Sequence, residues 1–163
     1  MNKLLTNVKD LKLEKHLLIV GFFAIFSLIY FYPLLQGKAL FQSDIAQFSG
    51  MAKQIVDHRE EFNEDPFWID NAFVGMPSYQ VAADYPFDMM DSLDKLIRFL
   101  PRPADYLFVY LISFYILLVS LGIRMKYAVF GALTFALSTY LIIILGVGHN
   151  TKALAIGYTP III

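Results

Sequence analysis

The chain has 163 residues, of which 58% are hydrophobic and 17% are charged, and its net charge is −1. Soluble domains usually carry about 45–50% apolar and about 25% charged residues, so this composition predicts a membrane protein. The small net charge and the lack of a basic–aromatic pattern argue against nucleic-acid binding, and the absence of cysteine excludes disulfides and thiolate metal sites within the chain.

Three uncharged blocks, residues 17–35, 106–123 and 128–147, are long enough to cross a bilayer. A helix rises about 1.5 Å per residue and the hydrocarbon core is about 30 Å thick, so each block predicts one transmembrane helix. The basic flank of the first block also fits a signal peptide, but the apolar run is longer than usual and no cleavage motif follows. Residues 153–163 begin a fourth span, so we expect the native protein to continue and the chain alone to be inactive.

The distribution of lysine and arginine predicts which segments face the cytoplasm. Residues 1–16 carry four lysines, and the link at 124–127 carries two basic residues and no acid. The positive-inside rule places both segments in the cytoplasm. The loop at 36–105, with six basic and twelve acidic residues, and the short loop at 148–152 are then expected on the outer side.

The long outer loop is predicted to contain two amphipathic helices around an irregular segment. Apolar residues recur at helical spacing over residues 44–62 and again over about 87–100. The second helix would either lie along the membrane surface or pack against the first. Between them, residues 67–85 include the single tryptophan and a Gly-Met-Pro turn signal but no helical period, which indicates an ordered irregular loop.

Three strings in this order resemble the YfhO family of bacterial membrane proteins: residues 42–44 (QSD), residues 66–68 (PFW) leading to 73–80 (FVGMPSYQ), and residues 148–152 (GHNTK). The resemblance covers essentially the whole chain but only the beginning of a family member. It implies an all-α membrane protein of the bacterial inner membrane with a GT-C-like start. This start would comprise three full transmembrane helices, part of a fourth, and a long periplasmic or extracellular loop with two amphipathic helices.

The resemblance also implies an activity. The protein would transfer a sugar from a polyprenyl-phosphate carrier to a glycan or protein acceptor of the cell envelope, on the outer face of the bilayer. Two alternatives are a transporter or flippase for lipid-linked sugars and a non-catalytic scaffold for envelope proteins.

Asp44 is the predicted catalytic residue. Its carboxylate would accept the proton of the acceptor hydroxyl, or it would bind a divalent cation that neutralises the donor phosphate. The alternative is that Asp44, or its neighbour Ser43, only caps the first loop helix. No other cofactor is indicated by the sequence.

His149 and Lys152 lie in the short outer loop and are predicted to bind the lipid-linked substrate, since a lipid phosphate needs cationic or hydrogen-bonding groups at headgroup depth. Their structural alternatives are a capping role for His149 and interfacial snorkelling for Lys152. Gln47, one turn after Asp44, and the loop residues Tyr79 and Gln80 are weaker candidates for sugar binding, and loop packing is their alternative.

Overall fold

The structure is a computed structural model that describes residues 13–82 and 89–163. Most of the predicted cytoplasmic segment 1–16 and the start of the second predicted loop helix lie outside these ranges. The described residues are mostly helical, which confirms the all-α prediction. Their α-helices are α1 (Leu13–Tyr30), α2 (Ser43–Phe62), α3 (Met89–Ile97), α4 (Ala104–Ser120), α5 (Met125–Ala136), α6 (Thr139–Val147) and α7 (Asn150–Ile162).

The helix α4 lies at the centre of the molecule, in contact with α1, α5 and α7. Every residue of its first two turns is buried. Small residues on its neighbours permit this close packing: α5 presents Ala128, Ala132 and Ala136, all fully buried and four residues apart. On α7, a side chain added at Gly157 would come within 2.9 Å of Val109 Cγ1. Small residues at such interfaces are typical of helices that pack inside membranes.

The three apolar blocks form helices, but the third block is divided. By length and composition α1 is able to span a membrane, and only 11% of its apolar window is buried, unlike the core helix of a soluble protein. The helix α4 is apolar but somewhat shorter. Block 128–147 forms α5 and α6, which are bent by 49° because Ser138 has an extended backbone (ψ 138°). The fold therefore includes one full candidate span and a second one if the bent pair is counted as a single span.

The long loop contains the first predicted helix, α2, followed by a compact hairpin. Strands β1 (Trp68–Ile69) and β2 (Met76–Pro77) pair antiparallel, and a short 3-10 helix follows at Ser78–Gln80. Gln54 attaches the hairpin to α2, because its side-chain oxygen accepts the backbone N–H groups of residues 70 and 71 at 2.8 and 3.2 Å. A small core of Ile55, Ile69 and Ala72 lies beneath it.

The helix α3 is attached to the bundle through its polar face. The buried Arg98 side chain forms ion pairs with Asp94 and with Asp105, the latter at 3.0 Å. The hydroxyl of Tyr158 on α7 donates to Asp94 at 2.6 Å. The Arg98 guanidinium lowers the pKa of the Asp94 carboxyl below its ordinary value. Neither predicted arrangement of this helix included this anchorage to α4 and α7.

The apolar side of α3 faces away from the bundle. Leu93 and Leu96 are 50% and 73% exposed, although Asp94 between them is bound inward by Arg98 and Tyr158. A helix on a water-soluble protein shows the opposite orientation, with its apolar stripe towards the core. This surface therefore matches an apolar surrounding medium better than water.

Candidate functional site

Two loop segments that are far apart in the sequence, both predicted to lie on the outer side, meet at the beginning of α2. Gln42, the N-terminal cap residue of α2, donates from its side-chain Nε2 to the carbonyl oxygen of Leu145 at 2.6 Å. This bond satisfies one of the carbonyl groups that the end of α6 leaves without a helical partner.

Glycine is required where these segments touch. Gly148 ends α6 in the left-handed region with φ +98°. A Cβ at this position would lie 2.8 Å from Gln42 Cβ and 3.2 Å from Ile45 Cγ1. The close approach of the α6–α7 turn to α2 thus depends on a residue without a side chain.

The junction brings Asp44 and His149 into direct contact. Oδ2 of Asp44 lies 2.5 Å from Nδ1 of His149, and the two side chains are 36% and 49% exposed. The prediction that Ser43 or Asp44 caps α2 is wrong, because Gln42 occupies the cap position and no side chain makes a capping bond there. Asp44 lies in the first turn, and its carboxylate pairs with another element instead of its own helix.

A cleft of about 470 Å³ opens beside this pair. Ile45 and Phe48 form an apolar part of its wall. The guanidinium of Arg102 lies 5.8 Å from the ring centre of Tyr106, and the ammonium of Lys152 lies 5.2 Å from that of Tyr140. The polar lining of the cleft consists of Asp44, Arg102, His149, Asn150, Thr151 and Lys152.

One polar atom of this lining is buried without a partner. Among the residues that the structure describes, Asn150 Oδ1 accepts no hydrogen bond although it is inaccessible to solvent. A buried acceptor without a partner is costly and requires an explanation, of which a ligand donor is one.

Three of the six sequence-predicted site residues therefore come together: Asp44, His149 and Lys152. Gln47 is exposed on α2 and does not line the cleft. Phe48, the next residue along α2, lines the cleft instead. Tyr79 and Gln80 are exposed on the short 3-10 helix after β2 and also lie outside the cleft lining.

Arg102 is the cleft residue that sequence reasoning missed. Its side chain is 59% exposed and lies 3.9 Å from the Asp105 carboxylate. A signal was present in the sequence, because Arg102 is the basic residue of the long loop that lies nearest to the second apolar block. In the predicted topology that position would lie at headgroup depth, where a phosphate-binding cation is expected.

The surroundings of Asp44 do not fit a metal centre. No group of three or more His, Asp or Glu side chains placed for a metal ion occurs in residues 13–82 and 89–163. One oxygen of the only carboxylate in the cleft lining is engaged with His149. We therefore derive no step through a divalent cation.

Comparisons with known proteins do not add a relative. No protein-family model, curated protein or solved structure matches this chain significantly.

Proposed function

We propose that the chain is the first part of a YfhO-type membrane glycosyltransferase with a GT-C-like fold. The cleft would transfer a sugar from a polyprenyl-phosphate carrier to an envelope acceptor on the outer face. The observation that carries the proposal is the 2.5 Å contact between Asp44 and His149, in one cleft with Arg102 and Lys152. A proton acceptor and two cations are the groups that this reaction requires.

The proposed membrane arrangement has α1, α4 and the bent pair α5–α6 as three spans and α7 as the start of a fourth. Two structural features support it. The apolar side chains of α1 are largely exposed, and α3 directs its leucines outward while its ion pairs bind the bundle. Exposure of the apolar side chains of α1 and α3 is favourable in lipid and unfavourable in water. The charge distribution supports an outer position for the cleft.

Each group of the cleft has a proposed role. The Asp44–His149 pair removes the proton of the acceptor hydroxyl as the new glycosidic bond forms. Arg102 and Lys152 bind the phosphate of the carrier and stabilise the charge that develops when it leaves.

The first test compares two aspartates of the same helix in cells that make the protein. Asp44→Asn is expected to remove a sugar from the envelope glycans, while the protein level stays normal. Asp57→Asn is the matched control, because Asp57 is also on α2 but pairs with Lys53 on an exposed surface. Unchanged glycans in the Asp44 variant would contradict the proposal.

The second test concerns the carrier phosphate. Polyprenyl phosphate in lipid nanodiscs is titrated against the protein and followed by ³¹P NMR. Replacing both Arg102 and Lys152 by glutamine is expected to weaken binding by about tenfold or more, since hydrogen bonds to charged groups contribute about 1.5–3 kcal/mol each. The control replaces Arg124 and Lys126, at the opposite predicted face, and should bind normally. Equal affinities would remove the cations from the proposal.

One observation favours a second candidate, a transporter or flippase of lipid-linked sugars. Transporters commonly contain discontinuous helices, and the third apolar block is broken at Ser138 with a bend of 49°. Reconstituted protein distinguishes the two functions. A transporter moves the lipid-linked sugar across the bilayer intact, whereas a transferase separates the sugar from its carrier.

A further inference from the structure

The contact with Asp44 determines which nitrogen of the His149 ring carries a proton. Nδ1 lies 2.5 Å from Oδ2, and an ionised carboxylate can only accept hydrogen bonds. Nδ1 is therefore the donor. In the neutral imidazole the second nitrogen, Nε2, then bears the lone pair.

The free nitrogen is available to a ligand. His149 is half-exposed and lines the cleft, and within the described residues the one polar contact of its side chain is the bond from Nδ1 to Asp44. The Asp44 carboxylate, in contrast, already accepts a hydrogen bond from Nδ1, and this bond makes the carboxylate a weaker base towards the proton of an acceptor hydroxyl. In carboxylate–histidine pairs of this kind, the carboxylate orients the imidazole ring and the ring acts as the base.

We infer that His149 is the general base of the cleft and that Asp44 is its positioning residue, an assignment that rests on the proposed function. His149 Nε2 takes the proton of the acceptor hydroxyl while the acceptor oxygen forms a bond to the anomeric carbon of the sugar. The bond between that carbon and the carrier phosphate breaks, and the phosphate leaves with the electron pair. Asp44 remains a carboxylate throughout and stabilises the imidazolium.

NMR tests the protonation pattern independently of any activity. The protein contains three histidines, so ¹H–¹⁵N spectra of the side chains are assigned by removing the signals of His149 with His149→Gln. In its neutral form the His149 ring is expected to be protonated at Nδ1 alone. Asp44→Asn should shift the population towards the Nε2–H form. His58, whose Nδ1 lies 3.0 Å from the Glu64 carbonyl oxygen, is the internal control and should not change.

Two NMR results would overturn the assignment. One is a wild-type His149 that carries its proton on Nε2 or on both nitrogens, because no lone pair would then face the cleft. The other is an unchanged proton distribution in Asp44→Asn.

Sugar transfer provides the second arm. His149→Gln is expected to lower transfer by about 10²–10⁴-fold, the usual contribution of a general base. Asp44→Asn should cause a smaller loss, and the double variant should lose no more than His149→Gln. Added imidazole should partly restore His149→Gly, which it would not do if His149 had only a structural role.

The outcomes separate this inference from the proposed function. If Asp44→Asn abolished transfer while His149→Gln retained it, Asp44 would be the base and the inference would fail, but the glycosyltransferase proposal would stand. If wild-type protein showed no transfer at all, the proposed function would fail, and with it the base assignment, whatever the NMR result.

Discussion

Gly148→Ala tests whether the outer segments meet as described. The new methyl group would lie 2.8 Å from Gln42 Cβ, an atom next to the backbone that cannot rotate away, and the residue would adopt φ +98°. The left-handed backbone costs an L-residue about 1–2 kcal/mol, and overpacking adds about 1–3 kcal/mol. We therefore expect the variant to lose about 2–5 kcal/mol of unfolding free energy.

Gly37→Ala is the matched control. Gly37 also has a left-handed backbone, with φ +74°, but an added Cβ would meet no atom within 4 Å. The same substitution at Gly37 should cost only the backbone strain, about 1–2 kcal/mol. The effect of the methyl group on the unfolded chain is the same in both variants and cancels in the comparison.

Equilibrium unfolding in mixed detergent micelles measures both variants under one condition. The difference between them should be about 1–3 kcal/mol, with Gly148→Ala the less stable. The Nδ1 proton signal of His149 should also shift in Gly148→Ala alone, because the displaced turn carries His149. Equal losses in the two variants would refute the close packing of α2 against the end of α6.

Three further predictions concern stability. Arg98→Met removes the ion-pair partner that Asp94 and the buried Asp105 share, and it should cost about 3–5 kcal/mol. Lys53→Met, at an exposed ion pair, should leave the melting temperature unchanged, and similar melting curves for the two variants would contradict this. Because the pKa of Asp94 is lowered in the folded protein, its ion pair contributes to stability in full at pH values above the ordinary pKa of 3.8. This contribution is lost as the pH falls through the lower pKa of the folded state. Acid titration should therefore destabilise wild type more than Asp94→Asn, and parallel curves would refute the pairing. Val74→Asn should raise stability by about 1 kcal/mol, because Val74 is fully exposed and has φ +66°, a backbone region that asparagine tolerates better than a β-branched residue. Val74→Thr keeps the β-branch and should give no gain, so equal effects of the two substitutions would exclude backbone strain as the cause.

The sequence predicted helices in all three apolar blocks, because a long uncharged run favours a helix with an internally paired backbone. The helix α2 likewise follows from its apolar spacing. The break at Ser138 was not predictable, since hydropathy reports only length and polarity and neither proline nor glycine marks the position. The anchorage of α3 was also missed, because its pairing with Asp105 and Tyr158 depends on tertiary packing.

The candidate site was partly predictable. The charge rule placed Asp44 and His149 on one side of the bilayer, and motif order drew attention to both. Their contact depends on Gly148 and Gln42, whose packing has no local sequence signal. Gln47 was included by approximate helical spacing, which does not resolve which of two adjacent residues faces a cleft.

Sugar transfer by the purified protein tests the central claim most directly. The full-length protein, of which this chain is proposed to be the first part, is reconstituted into liposomes with radiolabelled lipid-linked sugars and envelope acceptor, both extracted from the cells that make it. We predict that the label leaves the lipid fraction and becomes attached to the acceptor, that free polyprenyl phosphate is released, and that His149→Gln prevents both. Label that crosses the bilayer while still attached to its lipid carrier, or that stays in place with wild-type protein, would contradict the account.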